Sequence, residues 1–204
     1  MQNKKLLIRI TAILLGIAFL FLIIYIPYKN KDKDKYNILA SLNISKKKFT
    51  NIEANKVIEL LTSSDEVTIL YLGNTDKEYY HILETLYNVS LGYNVNKIYY
   101  YNIEEEKTII SLNENDEVVI EKEGSKFYNS LLELLGSFTE VYTLHNKFNE
   151  PINSGYKIIY TPMVLFIKNG KILYSHYLDK IDLNKEEFKE LETIYNSGFK
   201  KISE

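Results

Sequence analysis

Two kinds of hydrophobic spacing divide the chain. From Leu6 to Tyr28 it reads LLIRITAILLGIAFLFLIIYIPY, with no charge between Ile10 and Ile26. At about 1.5 Å per residue such a run reaches across most of a hydrocarbon core, and Tyr25 and Tyr28 stand where interfacial aromatics belong. A cleaved signal peptide would carry a shorter apolar stretch and small residues before the cut, and IIYIPYKNKDK offers neither. The expectation is an uncleaved anchor over residues 1–30, followed by a polar tether over residues 31–47.

Beyond the tether, apolar residues recur at helix or strand spacing. FTNIEANKVIELLTSS opens with a capping-box pattern, Thr50 with Glu53, and places Ala54, Val57, Ile58 and Leu61 on one helical face. EVTILYLG is β-branched and uncharged from Val67 to Gly73, which predicts a buried strand. A second capping-box pattern, Thr75 with Glu78, starts the helix DKEYYHILETLYNVS, with Tyr79, Ile82, Leu83, Leu86 and Tyr87 inward. NKIYYYNI is the next strand. EEEKTIISLNENDEVVIEKEGS reads either as a hairpin turning at Asn113–Asp116 or as a mobile loop.

SKFYNSLLELLGSF predicts a helix with Phe127, Leu131, Leu134 and Leu135 on one side and Gly136 at its end. EVYTLHNKFNEPINSGYKIIY predicts a second small hairpin. TPMVLFIKNGKIL predicts an apolar hairpin on the two-residue turn Asn169-Gly170. The last helix, NKEEFKELETIYNSGF, is capped by Asn184 with Glu187 and packs through Phe188, Leu191 and Tyr195. Helices alternating with strands imply an α/β fold, a mixed sheet covered on both faces.

Composition narrows the chemistry. The formal net charge is −2 over 204 residues, and the only arginine is Arg9, so nothing points to a nucleic-acid partner. No cysteine is present, which excludes disulfides, thiolate metal sites, cysteine nucleophiles and a lipid-modified cysteine. His81, His145 and His176 lack metal-ligand spacing, so no metal is expected. The acidic runs at Glu104–Glu106 and Glu114–Glu117 lack the ligand spacing and glycine of a calcium loop, and read as solvated loop charge. No Gly-rich phosphate loop, G-x-S-x-G or His-Glu-x-x-His occurs, so no cofactor is expected. The run Tyr99-Tyr100-Tyr101 alternates faces along a strand and cannot form one stacking platform.

The order of elements, with Tyr160-Thr161-Pro162 entering an apolar hairpin, resembles the thioredoxin fold over about Lys48 to Phe199. The closest flavour is that of bacterial bacteriocin transport accessory proteins, which join a membrane segment to a thioredoxin-like domain. The resemblance implies a cis Pro162, and an insertion at about 104–156 before the proline strand. It also implies a backbone at Thr161 that faces the start of the helix after the first central strand. In the family a Cys-x-x-Cys motif begins that helix, and here the place is GNTDKEYYHIL. With Thr75 as N-cap, Asp76 takes the nucleophile's position and Tyr79 that of its partner, so thiol–disulfide exchange is excluded. The candidate site is then a degenerate active site serving as a peptide-docking surface: Thr75, Asp76, Tyr79, Tyr80, Thr161 and Pro162.

The leading functional expectation is a single-pass, redox-inactive binding or accessory protein, not an enzyme. It would assist export or folding of envelope or bacteriocin-like clients, with the membrane and a protein or peptide as partners. A structural subunit of a membrane complex and a non-redox enzyme on the same scaffold stand as alternatives. The resemblance places the domain outside the cytoplasm. The flanking charges, Lys4, Lys5 and Arg9 before the span and Lys29, Lys31, Lys33 and Lys35 after it, do not favour that side.

Overall fold

A computed structural model describes residues 48–204, apart from 94, 96, 179 and 180. The expected anchor and tether lie outside the described residues. Among those described, no helix is long and apolar enough to cross a membrane.

The elements run β1 (Phe49–Asn51), α1 (Ala54–Thr62), β2 (Val67–Leu72), α2 (Tyr80–Ser90), β3 (Ile98–Tyr101), β4 (Ile109–Leu112) and β5 (Val118–Lys122). There follow α3 (Lys126–Leu135), β6 (Glu140–His145), β7 (Pro151–Ile158), β8 (Met163–Lys168), β9 (Lys171–Tyr177) and α4 (Lys185–Ser203). Five strands form the central sheet in the order β1-β3-β2-β8-β9. β1, β3 and β2 are parallel, β8 runs antiparallel to β2, and β9 runs antiparallel to β8.

Both faces of this sheet are buried, and the period-2 alternation of a strand shares its residues between two cores. Ile69 and Tyr71 of β2 join Val164 and Phe166 of β8 under α2 and α4. Leu70 and Leu72 join Met163, Leu165 and Ile167 under α1 and α3. This mixed sheet with helices on both faces is consistent with a thioredoxin-like fold, and the Thr161–Pro162 bond is cis. Asn169 and Gly170 close the β8–β9 hairpin with φ of 53° and 68°, the conformation that an Asn-Gly turn supplies.

The segment between β3 and β8 is not one added block. α3 covers the sheet, while β4–β5 before it and β6–β7 after it in the chain form separate two-stranded hairpins. The stretch left open between hairpin and loop is therefore a hairpin. Its turn is tied by Asn113, whose side chain accepts from the N–H groups of Asn115 (2.9 Å) and Glu117 (3.0 Å).

Three helix expectations meet the structure differently. Asn184 caps α4 through the full reciprocal box, and Leu191 and Tyr195 are buried below it. Thr50 caps nothing. Residues 49–51 pair with β3 instead, burying Phe49, and α1 starts at Ala54 with no side-chain cap. On α3 the inward residues are Tyr128, Leu131 and Leu135, whereas Leu134 is exposed. The helix is rotated so that the Tyr128 hydroxyl accepts from the N–H of Ile159 (3.2 Å), which a leucine cannot do.

Phe166 packs against bare backbone of α4. A Cβ on Gly198 would lie 2.5 Å from its ring. Helix propensity alone favours alanine over glycine by about 1 kcal/mol. Overpacking a tight core costs about 1–3 kcal/mol, so the steric term wins. Gly198→Ala is expected to lower stability to urea by about 1–2 kcal/mol, with partial recovery in Gly198→Ala/Phe166→Leu. Unchanged or raised stability of the single variant would show that the ring is free to move.

Candidate functional site

The strand register gathers four loops at one end of the sheet. Leu72 lies between Tyr101 and Met163, and Met163 in turn pairs with Tyr177. The residues that follow β2, β3 and β9 therefore meet those that precede β8. Gly73, at φ 147°, leaves β2 so close to the proline that a Cβ would lie 3.1 Å from Pro162 Cα. Its N–H donates to the Tyr101 carbonyl (3.0 Å), and the N–H of Leu178 donates to the Pro162 carbonyl (3.1 Å). Pro162 is thus clamped from two strands. Beside it, neither the N–H nor the C=O of Thr161 has a hydrogen-bond partner among the described residues.

The β2–α2 loop differs from its expected form. Asn74 organises it. Its side-chain oxygen accepts from the Asp76 N–H (3.2 Å), its amide donates to the Asp76 carboxylate (2.5 Å), and its carbonyl accepts from the Tyr71 hydroxyl (2.7 Å). A 3-10 turn spans Lys77–Tyr79, and α2 begins only at Tyr80, with no side-chain cap. Thr75 is therefore a half-buried loop residue rather than an N-cap, and Asp76 is not the first residue of α2. The asparagine offers a local turn that competes with helix initiation. The dipole of α2 fades within a turn, so it gives Asp76 little of the support expected at a helix start.

The candidate residues do not all converge. Tyr79 lies by the proline end. Burial raises its phenol pKa, and the carboxylates of Glu104, Glu78 and Asp76 add to the shift. Tyr80 belongs to the α2 surface, its hydroxyl donating to Glu84 (3.3 Å) and its ring meeting His81 edge-on. His81 is exposed and packs against Phe188 of α4 at 5.7 Å between ring centres, so it does not line the site.

Glu104, read from the sequence as solvated loop charge, is part of this end of the sheet together with Lys107. The Thr161 hydroxyl donates to Glu104 Oε1 (2.5 Å), and Lys107 Nζ donates both to Glu104 Oε1 (3.0 Å) and to Thr161 Oγ1. The two side chains are 36% and 20% exposed, so the pair is neither a surface bridge nor a sealed one. Burial pushes the Lys107 ammonium pKa down, and the Glu104 carboxylate opposes that. The same carboxylate contributes to the raised phenols of Tyr71, Tyr79 and Tyr128, each shifted chiefly by burial. Glu106 is also engaged, accepting from the Tyr101 and Ser125 hydroxyls. Only the i,i+3 spacing of Glu104 and Lys107 hinted at a pair, and nothing in the sequence tied them to a residue so far along the chain. Among the described residues no group of three or more histidines and carboxylates could hold a metal ion.

No family model matches the chain. No curated protein matches it either. Among solved structures it is similar to a thioredoxin-fold protein from Helicobacter pylori, at 15% identity over 71% of this chain and 96% of that one, with a TM-score of 0.27.

An exposed ion pair contributes about 0–1 kcal/mol, and breaking a buried one costs about 3–5 kcal/mol. At its intermediate burial, Lys107→Met is expected to cost about 1–2 kcal/mol, and Glu104→Gln about as much. The double variant should cost clearly less than the sum, because neither charge is then left alone. Urea unfolding of the four proteins measures this. Strict additivity would mean that the two side chains do not act on each other.

Proposed function

We propose that this chain is a redox-inactive docking protein that binds an extended polypeptide at the proline end of its sheet. The observation that carries the reading is the open backbone of Thr161, held in place by a proline clamped against Gly73 and Leu178. Strand addition at such a backbone draws affinity from main-chain hydrogen bonds, and flanking side chains select the sequence. Glu104 and Lys107 offset each other's charge, and Asp76 has no salt bridge among the described residues. A basic or neutral segment is therefore favoured over an acidic one. The chain has no cysteine, so the surface works by hydrogen bonding and charge.

In this reading the apolar run before residue 30 holds the domain at a membrane, in an accessory role toward exported or envelope clients. A second reading, a structural subunit of a membrane complex, is favoured by the two hairpins. They carry exposed Ile109, Val141, Phe148 and Tyr156, the kind of surface a lasting partner covers.

Two measurements test the proposal. The full chain in detergent micelles is offered a library of extended peptides. Basic and neutral sequences should bind better than acidic ones, and Asp76→Lys should weaken or reverse the preference. Absence of binding to any peptide removes the docking reading. For the anchor, alkaline carbonate extraction should leave the chain in the membrane pellet, and recovery in the supernatant would refute it. Protease treatment of intact cells then reports the side on which residues 48–204 lie.

A further inference from the structure

A cleft of about 470 Å³ runs beside the outer edge of the sheet, between β9 and the residues entering β6. It is lined by Ser137, Phe138, Glu140, Ser175, His176 and Tyr177. β9 is the end strand of the sheet, so one of its edges is unpaired within the sheet. A smaller cleft of about 180 Å³ shares His176 and Tyr177 and continues toward α4, where Glu187 and Glu190 join its lining.

The cleft adjoins the proline end. Tyr177 precedes Leu178, whose N–H reaches the Pro162 carbonyl, and its ring stacks on that of Tyr160 at 5.0 Å and 19°. Tyr142 meets the other partner of this stack, Tyr160, at 6.4 Å and 67°. Three tyrosines from β6, from the turn before Pro162 and from β9 thus form one aromatic wall. Glu140 stands at this wall. Its carboxylate adds to the burial that raises the Tyr160 phenol pKa. Glu140 has no salt bridge among the described residues, and no described lysine lines either cleft. Lys157, opposite Val141 in the β6–β7 ladder, donates to the Gly136 carbonyl (3.3 Å).

We propose that this cleft is a side-chain pocket for an arginine or lysine of the polypeptide docked at Thr161. The inference rests on the docking reading and adds the residue class it selects. An unpaired carboxylate, aromatic faces and the serine hydroxyls of Ser137 and Ser175 together suit a guanidinium, which stacks on rings while its N–H fork meets oxygen acceptors. Along an extended chain every second side chain faces the same way, about 6.5–7 Å apart. A segment paired at Thr161 can therefore project one side chain past the Tyr160–Tyr177 stack into the cleft. Glu140 then adds a demand for a cation at one side-chain position to the broader preference against acidic segments that Asp76 sets.

The test uses the full chain in detergent micelles and pairs of extended pentapeptides that carry either arginine or its neutral isostere citrulline at the centre. The arginine peptide should bind about tenfold more tightly. Glu140→Gln, at an exposed position that leaves folding intact, should erase that ratio without changing the citrulline affinity. Asp76→Lys should leave most of it. If the ratio is near one in the wild type, or survives Glu140→Gln, the pocket is refuted while docking stands. If neither peptide binds, N-acetylarginine amide decides separately. Glu140-dependent binding of the amide keeps the cation pocket and discards docking, and no binding discards both.

Discussion

The antiparallel seating of β8 on β2 is the constraint from which the rest follows. These two strands lie in the middle of the sheet and are buried on both faces, so every residue from Ile69 to Leu72 and from Met163 to Ile167 is committed to one core or the other. A slip of one residue would exchange the two sets of side chains, which a sheet covered on both sides does not tolerate. The register therefore fixes Leu72 opposite Met163, and with it Gly73 against Pro162. The site is a consequence of the core packing behind it.

The same constraint explains why charge collects at this end. Loops leaving β2 and β3 have to pass the residues entering β8, and polar side chains caught there need partners. Glu104, Lys107 and Thr161 satisfy one another, and Asn74 satisfies Asp76 and Tyr71. Side chains that would otherwise lower stability are used to hold the proline loop in place. What this arrangement leaves open is main chain at Thr161 and one carboxylate at the neighbouring aromatic wall, Glu140.

Three capping patterns with the same local chemistry show where local reasoning stops. Asn184 precedes a long amphipathic helix with nothing competing for its backbone, and the box forms. Thr50 sits where an edge strand can bury Phe49 against β3, and strand pairing outweighs a single cap. Thr75 follows an asparagine that folds the loop on itself, and the α-helix begins later. Each sequence signal was sound, but a cap contributes only about 1 kcal/mol and yields to whatever buries more surface.

The sequence by itself determined the elements whose apolar periods are long and unambiguous: the buried strands β2 and β8, the Asn169-Gly170 turn, the amphipathic helices, and the alternation that makes an α/β sheet. It also determined that no thiol chemistry is available, because composition needs no structure to be decisive. Tertiary structure alone decided which face of α3 turns inward, since that depended on the Tyr128 hydroxyl reaching the Ile159 backbone. It alone brought Glu104 and Lys107 to Thr161, and Glu140 to the Tyr160–Tyr177 stack. Those contacts join residues far apart along the chain, and their short-range sequence context is that of ordinary loop charge. Periodicity reports what a segment buries, whereas a site is made by which segments the sheet register sets side by side.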